Sequence, residues 1–196
     1  MRIIGGAFRG RRLASVGKGD ASAHLRPTSD RVRESLFNIL ESNFADALDG
    51  AKVLDVFAGT GALGLEALSR GAAHVTFIDQ GRAALKLLRA NVKTCNAQSE
   101  TRILTRDARS PGPATSPATL VFLDPPYGKG LGEKALAALI ENAWLADGAL
   151  VIWEDNTAVS PPASFTEEDE RRYGATTIRI CVVSVILPPQ FPLPPV

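Results

Sequence analysis

The sequence predicts an α/β fold: a mostly parallel, twisted sheet covered by helices on both faces, with an antiparallel hairpin at one edge and a small basic extension in front. Three observations predict it. Short apolar strands alternate with amphipathic helical stretches from residue 52 to residue 153, the pattern of βαβ units. A Gly-x-Gly-x-x-Gly segment, Gly59 to Gly64, follows the first strand and opens a helix. Beyond residue 176 the helical period gives way to alternating β-branched residues.

Taken in order, the first 34 residues hold eight basic side chains against three acidic ones, a surplus of five, which leaves the remainder at −4 within a net charge of +1. A basic arm on a mildly acidic body points to a polyanion held by one end of the molecule, although a merely solubilising N-terminus would read the same way. Thr28 or Ser29 then caps a helix that has Asp30 in its first turn and Val32, Leu36, Ile39 and Leu40 as its apolar stripe, with Arg31 and Arg33 off that stripe. Strands are expected at 52–57, 74–79, 102–105, 119–124 and 148–153, and helices at 62–70, 82–96 and 133–142. Thr176 to Leu187 reads as an edge strand, paired with a stretch near Phe165. The charge run Glu167–Arg172 reads as a solvated loop, and the proline-rich stretch 188–196 as a disordered tail. This divides the chain into an extension and helix (1–48), a Rossmann-like domain (49–187) and the tail.

Composition excludes several classes. With 45% hydrophobic and 22% charged residues, the chain is neither disordered nor a disulfide scaffold. No apolar run approaches a membrane span, and the first residues lack the apolar core of a secretion signal, so a cytoplasmic protein is expected. Cys95 and Cys181 are read as inert thiols, and two histidines give no basis for a metal site.

Asp55, Asp79 and Asp124 end three expected strands, and Asp107 follows a fourth. In an open parallel sheet, ligands bind outside those strand ends. The loop Phe57, Ala58, Gly59, Thr60, Gly61, followed by Gly64, lets backbone approach a ligand, and Asp79 lies 20 residues after Gly59, where it could accept from ribose hydroxyls. A nicotinamide enzyme would share these features. Asp55 argues for S-adenosylmethionine instead, because a carboxylate repels a pyrophosphate and attracts a sulfonium and an ammonium. Asp124-Pro125-Pro126-Tyr127 is the more specific motif. The two prolines remove two donors and stiffen the turn. The Asp124 carboxylate and the Pro125 carbonyl can then accept both N–H bonds of an exocyclic amine, with Tyr127 as a stacking face for a flipped-out base.

The segments 55–71 and 122–131 resemble class I S-adenosylmethionine-dependent amino-methyltransferases. Arg2–Gly6, Arg9-Gly-Arg11 and Leu25–Asn38 are similar to one branch of these, the bacterial 16S rRNA guanine-N2 methyltransferases of the ribosomal small-subunit methyltransferase D family. The resemblance spans residues 2 to about 187. It implies that the segment from Asp55 to Gly64 holds the methionine end of the cofactor, Asp79 the ribose and Asp107 the adenine amine. It also implies that Asp124 to Tyr127 hold guanine N2 and that Arg9, Arg11, Arg26, Arg31 and Arg33 bind rRNA phosphates. The partner would be 16S rRNA in a small subunit or its precursor, taken by a monomer without metal. The stretch 110–117 is proline-rich where the family often has a short helix. An N6-adenine DNA methyltransferase, an oxidoreductase and a non-catalytic RNA-binding protein remain the alternatives.

Overall fold

The computed structural model describes residues 1–15, 29–126, 128, 130–156 and 161–184. Arg26, Thr28, Tyr127 and the proline-rich tail lie outside the described residues.

Seven strands form one sheet: β1 (Lys52–Val56), β2 (His74–Asp79), β3 (Thr101–Thr105), β4 (Ala118–Leu123), β5 (Leu145–Asp155), β6 (Phe165–Tyr173) and β7 (Thr176–Val183). Their spatial order is β3-β2-β1-β4-β5-β7-β6. The five strands from β3 to β5 run parallel, and β7 and β6 close one edge antiparallel. The helices are α1 (Asp30–Asn43), α2 (Ala62–Ser69), α3 (Arg82–Thr94) and α4 (Leu131–Glu141).

Period-2 alternation within each strand divides the core in two. Val53, Val75, Phe77, Leu120 and Phe122 face α1, α2 and α3, whereas Leu54, Val56, Ile78, Val121 and Leu123 face α4. The result is three layers, three helices on one face and one on the other. Phe37 of α1 sits 5.7 Å from Phe122 of β4, ring centre to ring centre, so the first helix shares the core of the sheet. Cys95 and Cys181 are buried on opposite faces, their thiols pushed up by burial.

Ser29 caps α1, its Oγ accepting the Val32 N–H at 3.3 Å. The buried stripe is Arg33, Leu36, Phe37 and Leu40, one position round from the expected one. This corrects the reading of Arg33. Its guanidinium is fully buried, paired with Asp30 at 2.9 Å and with Glu66 at 3.5 Å, and it also donates to the Arg2 carbonyl. A side chain held in this way is withdrawn from any phosphate outside. The charge run is corrected too. Glu167–Arg172 belongs to β6, an edge strand that among the described residues pairs with β7 alone and exposes both faces for most of its length, which leaves no apolar alternation to read.

The basic arm folds onto the domain. Ile3 exchanges backbone hydrogen bonds with Arg11 and Gly10, and Leu13 donates to Met1. Ile3 and Leu13 are buried. The docking point is Glu66 on α2. Its carboxylate accepts the Ile4 and Gly5 N–H groups at 2.8 Å each and pairs with Arg33 and with Arg70. Burying a carboxylate is costly unless it is fully hydrogen-bonded, and Glu66 meets that requirement with backbone from one segment and cations from two others.

Candidate active site

β1 lies between β2 and β4, so the chain leaves it in one direction and later returns on its other side. This is the topological switch point, where doubly wound sheets open a crevice beyond their carboxyl ends. Asp55 flanks it on β1. Asp124 flanks it just past β4, its own N–H reaching the Val56 carbonyl at 3.4 Å.

The turn out of β1 is tight, with positive φ at Phe57 (60°), Gly59 (56°) and Gly61 (75°). A Cβ on Gly61 would meet Leu88 Cδ1 at 2.3 Å, and one on Gly64 would meet Phe77 Cε1 at 2.5 Å. Glycine is therefore required both for conformation and for close packing of loop and helix against β2 and α3. Two carboxylates grip this loop. Asp79 accepts the Gly59 N–H through Oδ2 at 2.8 Å and the Gly81 N–H through Oδ1 at 2.7 Å. Asp55 Oδ2 accepts the Gly64 N–H at 2.9 Å. Gly61, the residue before α2, has no side chain to cap it, so Asp55 reaches across from β1 to satisfy one of the free donors of that helix.

The electrostatics are unusual for so small a space. Burial, reinforced by Asp79, pushes the Asp55 carboxyl up to about 8 against the lowering effect of the Gly64 N–H. Asp124 is raised well above the ordinary carboxylate range, first by burial and then by the charges of Glu154, Asp55 and Asp155. A site that already resists its own negative charges repels an anionic ligand and is relieved by a cation. Pro125 is buried and Pro126 exposed.

A family model described as "Conserved hypothetical protein 95" matches residues 1–182.

The chain belongs to that family.

It is 42% identical to Ribosomal RNA small subunit methyltransferase D of Escherichia coli strain K12, over 92% of this chain and 88% of that protein. Against the Haemophilus influenzae protein of the same name it is 36% identical, with 92% of each covered. The solved structure of yhhF from Escherichia coli superposes with a TM-score of 0.80 at 41% identity, over 94% of this chain and 98% of that one. The fold is Rossmann-like class I, as expected from the sequence.

Within this member of the conserved hypothetical protein 95 family, the crevice gathers Asp55, Phe57, Ala58, Gly59, Thr60, Gly61, Gly64, Asp79 and Asp124. Asp107 sits one residue beyond Arg106, whose N–H reaches the Asp79 carbonyl at 3.2 Å. Its carboxylate is engaged by Arg109, Nη2 to Oδ2 at 2.6 Å, which holds it below the usual range. Arg9 and Arg31 are exposed, and Arg11 stacks on the Phe8 ring at 4.8 Å. The sequence reading missed Glu154 and Asp155, buried at the end of β5 beside Asp124. The only available signal was the acidic pair directly after an apolar strand. It also missed Asn91 of α3, whose Nδ2 donates to the Thr60 carbonyl of the glycine turn at 2.9 Å and whose Oδ1 accepts the Ala14 N–H of the arm at 2.7 Å. Nothing in the order of residues connects positions 14, 60 and 91.

Proposed function

We propose that this protein transfers a methyl group from S-adenosylmethionine to the exocyclic N2 amine of a guanine in small-subunit ribosomal RNA. The observation that carries the proposal is the pair Asp55 and Asp124 on either side of the switch point, two carboxylates raised by burial and by neighbouring acidic groups, Asp79 beside the first and Glu154, Asp55 and Asp155 beside the second. Such a donor set fits a ligand with a sulfonium and an ammonium and no phosphate. The tight turn out of β1, with positive φ at Phe57, Gly59 and Gly61, fits backbone approach to the same ligand beyond the strand end. The names of the Escherichia coli and Haemophilus influenzae relatives support ribosomal RNA as the substrate.

When bound, S-adenosylmethionine supplies an electrophilic methyl carbon that needs no further activation. The chain's own residues do the rest. Asp55 and the turn from Phe57 to Gly64 hold the methionine end. Asp79 already orients the loop through both oxygens, and its remaining lone pairs accept from the ribose. Asp107 accepts from the adenine amine once Arg109 turns away. The Asp124 carboxylate and the Pro125 carbonyl accept the two N–H bonds of the guanine amine. The nitrogen becomes pyramidal, its lone pair is directed along one line, and Asp124 takes the proton that it sheds. Pro126 stiffens the turn, and Tyr127, outside the described residues, stacks on the base. The arm and first helix present Arg9, Arg11 and Arg31 to phosphates.

The test is transfer of tritiated methyl to small-subunit rRNA from a strain lacking the gene. The expected product is N2-methylguanosine. Asp124→Ala should lower turnover about 10²–10³-fold, as the loss of a transition-state contact does, with affinity for S-adenosylhomocysteine kept within a few fold. Label in N6-methyladenine, or undiminished turnover in the variant, would overturn the reading.

A further inference from the structure

The arm is not the sole basic surface. Residues 82–109 hold seven basic side chains against Glu100 and Asp107, a surplus as large as that of the first 34 residues. Four of the seven, Arg82, Lys86, Arg89 and Lys93, lie on α3, which has no acidic residue. Steps of four, three and four residues bring them within an arc of about 60° on the helix. All four are exposed, while Leu85, Leu88 and Val92 fill the core side. Elsewhere in the body Arg33, Arg70, Arg109, Arg171, Arg172 and Arg179 all have carboxylate partners. Among the described residues the four on α3 form no ion pair.

The stripe joins other features at both ends. Arg11 Nη1 of the arm donates to the Thr94 carbonyl at 3.2 Å, one residue past Lys93. At the other end Arg82 follows Gly81, whose N–H is held by Asp79 beside the glycine turn. We propose that the outer face of α3 is a second RNA-binding surface, a track continuous with Arg11 that takes the sugar–phosphate backbone of the rRNA substrate. This rests on the rRNA reading given above.

The chemistry of the face selects its occupant. A protein partner needs large apolar or aromatic anchors at the centre of its contact. The other exposed residues of α3 are Ala83, Ala90 and Thr94, which offer none. Cations spaced about 5–6 Å apart along a rigid helix, about 16 Å in all, suit successive phosphates of one strand. Contacts of this kind position a nucleic acid without reading its sequence.

The experiment compares the wild-type chain with Lys86→Glu/Lys93→Glu and with Lys86→Gln/Lys93→Gln. Binding to protein-free, unmethylated small-subunit rRNA is measured between 50 and 200 mM salt. The glutamate pair should weaken binding at least tenfold at the lower salt, and the glutamine pair should do so by a smaller factor. Both should flatten the logarithmic salt slope by about two, one counterion per lost phosphate contact. Affinity for S-adenosylhomocysteine and the melting temperature should stay at wild-type values. Variants that match the wild type in affinity and slope overturn the track. So do variants that bind free rRNA normally yet fail on assembled subunits, which would assign the face to a protein. A wild-type chain that neither binds nor methylates rRNA would instead strike the proposed function.

Discussion

Asp55 acts as a helix cap and as a strained acid at once. Its carboxyl accepts the Gly64 N–H, yet burial beside Asp79 pushes it up to about 8 from an unfolded value of 3.8. The folded chain therefore holds a proton that the unfolded chain releases. The stabilisation from that proton is complete below about pH 4, declines as pH rises and is gone once pH passes about 8. Asp55→Asn keeps an acceptor for Gly64 and removes the charge. The variant should melt with the wild type near pH 4 and about 4–8 °C above it at pH 9, the equivalent of about 2 kcal/mol. A difference in melting temperature independent of pH would refute this account. Asp55, Asp79 and Asp124 were legible in the sequence because strand ends and glycine turns are local signals. Arg33, Glu66 and Asn91 were not, because each is defined by a partner 30 residues or more away in the chain.

At the scale of elements, the buried strands and amphipathic helices were legible almost to their ends, since one buried face imposes its period on the residues. The exceptions have physical causes. β5 starts at Leu145, earlier than its apolar run, because its first residues pair irregularly with β4. β6 lies at an edge and carries no buried face over most of its length. The junction of α2 and β2 shows how tightly the elements meet at the crevice. On Gly64 a Cβ would lie 2.5 Å from Phe77 Cε1 and 2.7 Å from Val75 Cγ1, and neither a buried ring nor a β-branched side chain can retreat far. Gly64→Ala should cost about 1–3 kcal/mol, seen as a lower melting temperature, and should weaken S-adenosylhomocysteine binding by displacing the turn. A variant that melts and binds as the wild type does would show that helix and sheet can separate freely here.

Over the whole molecule, a net charge of +1 conceals a division across the sheet. The β3 side carries the cations of α3, which form no ion pair among the described residues, whereas on the β6 side Glu167, Asp169 and Glu170 are paired with Arg171, Arg172 and Arg179. The sequence revealed the basic arm because its charges are consecutive. It hid the division because the two charged groups lie far apart along the chain and only the strand order places them on opposite flanks. A flank of uncompensated cations opposite a compensated one draws a polyanion toward itself before contact.

The outermost strand also bears on self-association. Among the described residues β6 pairs on one side alone, with β7, and an open strand edge is the kind of template on which identical chains stack into fibres. Glu168 sits where the register with β7 slips, and it and Arg171 are exposed. Irregularity and charge together make the rim a poor template. Replacing both residues, Glu168→Val/Arg171→Val, should make sedimentation velocity strongly concentration-dependent while leaving methyl transfer at low concentration intact, so the acidic run would serve solubility in the crowded cell.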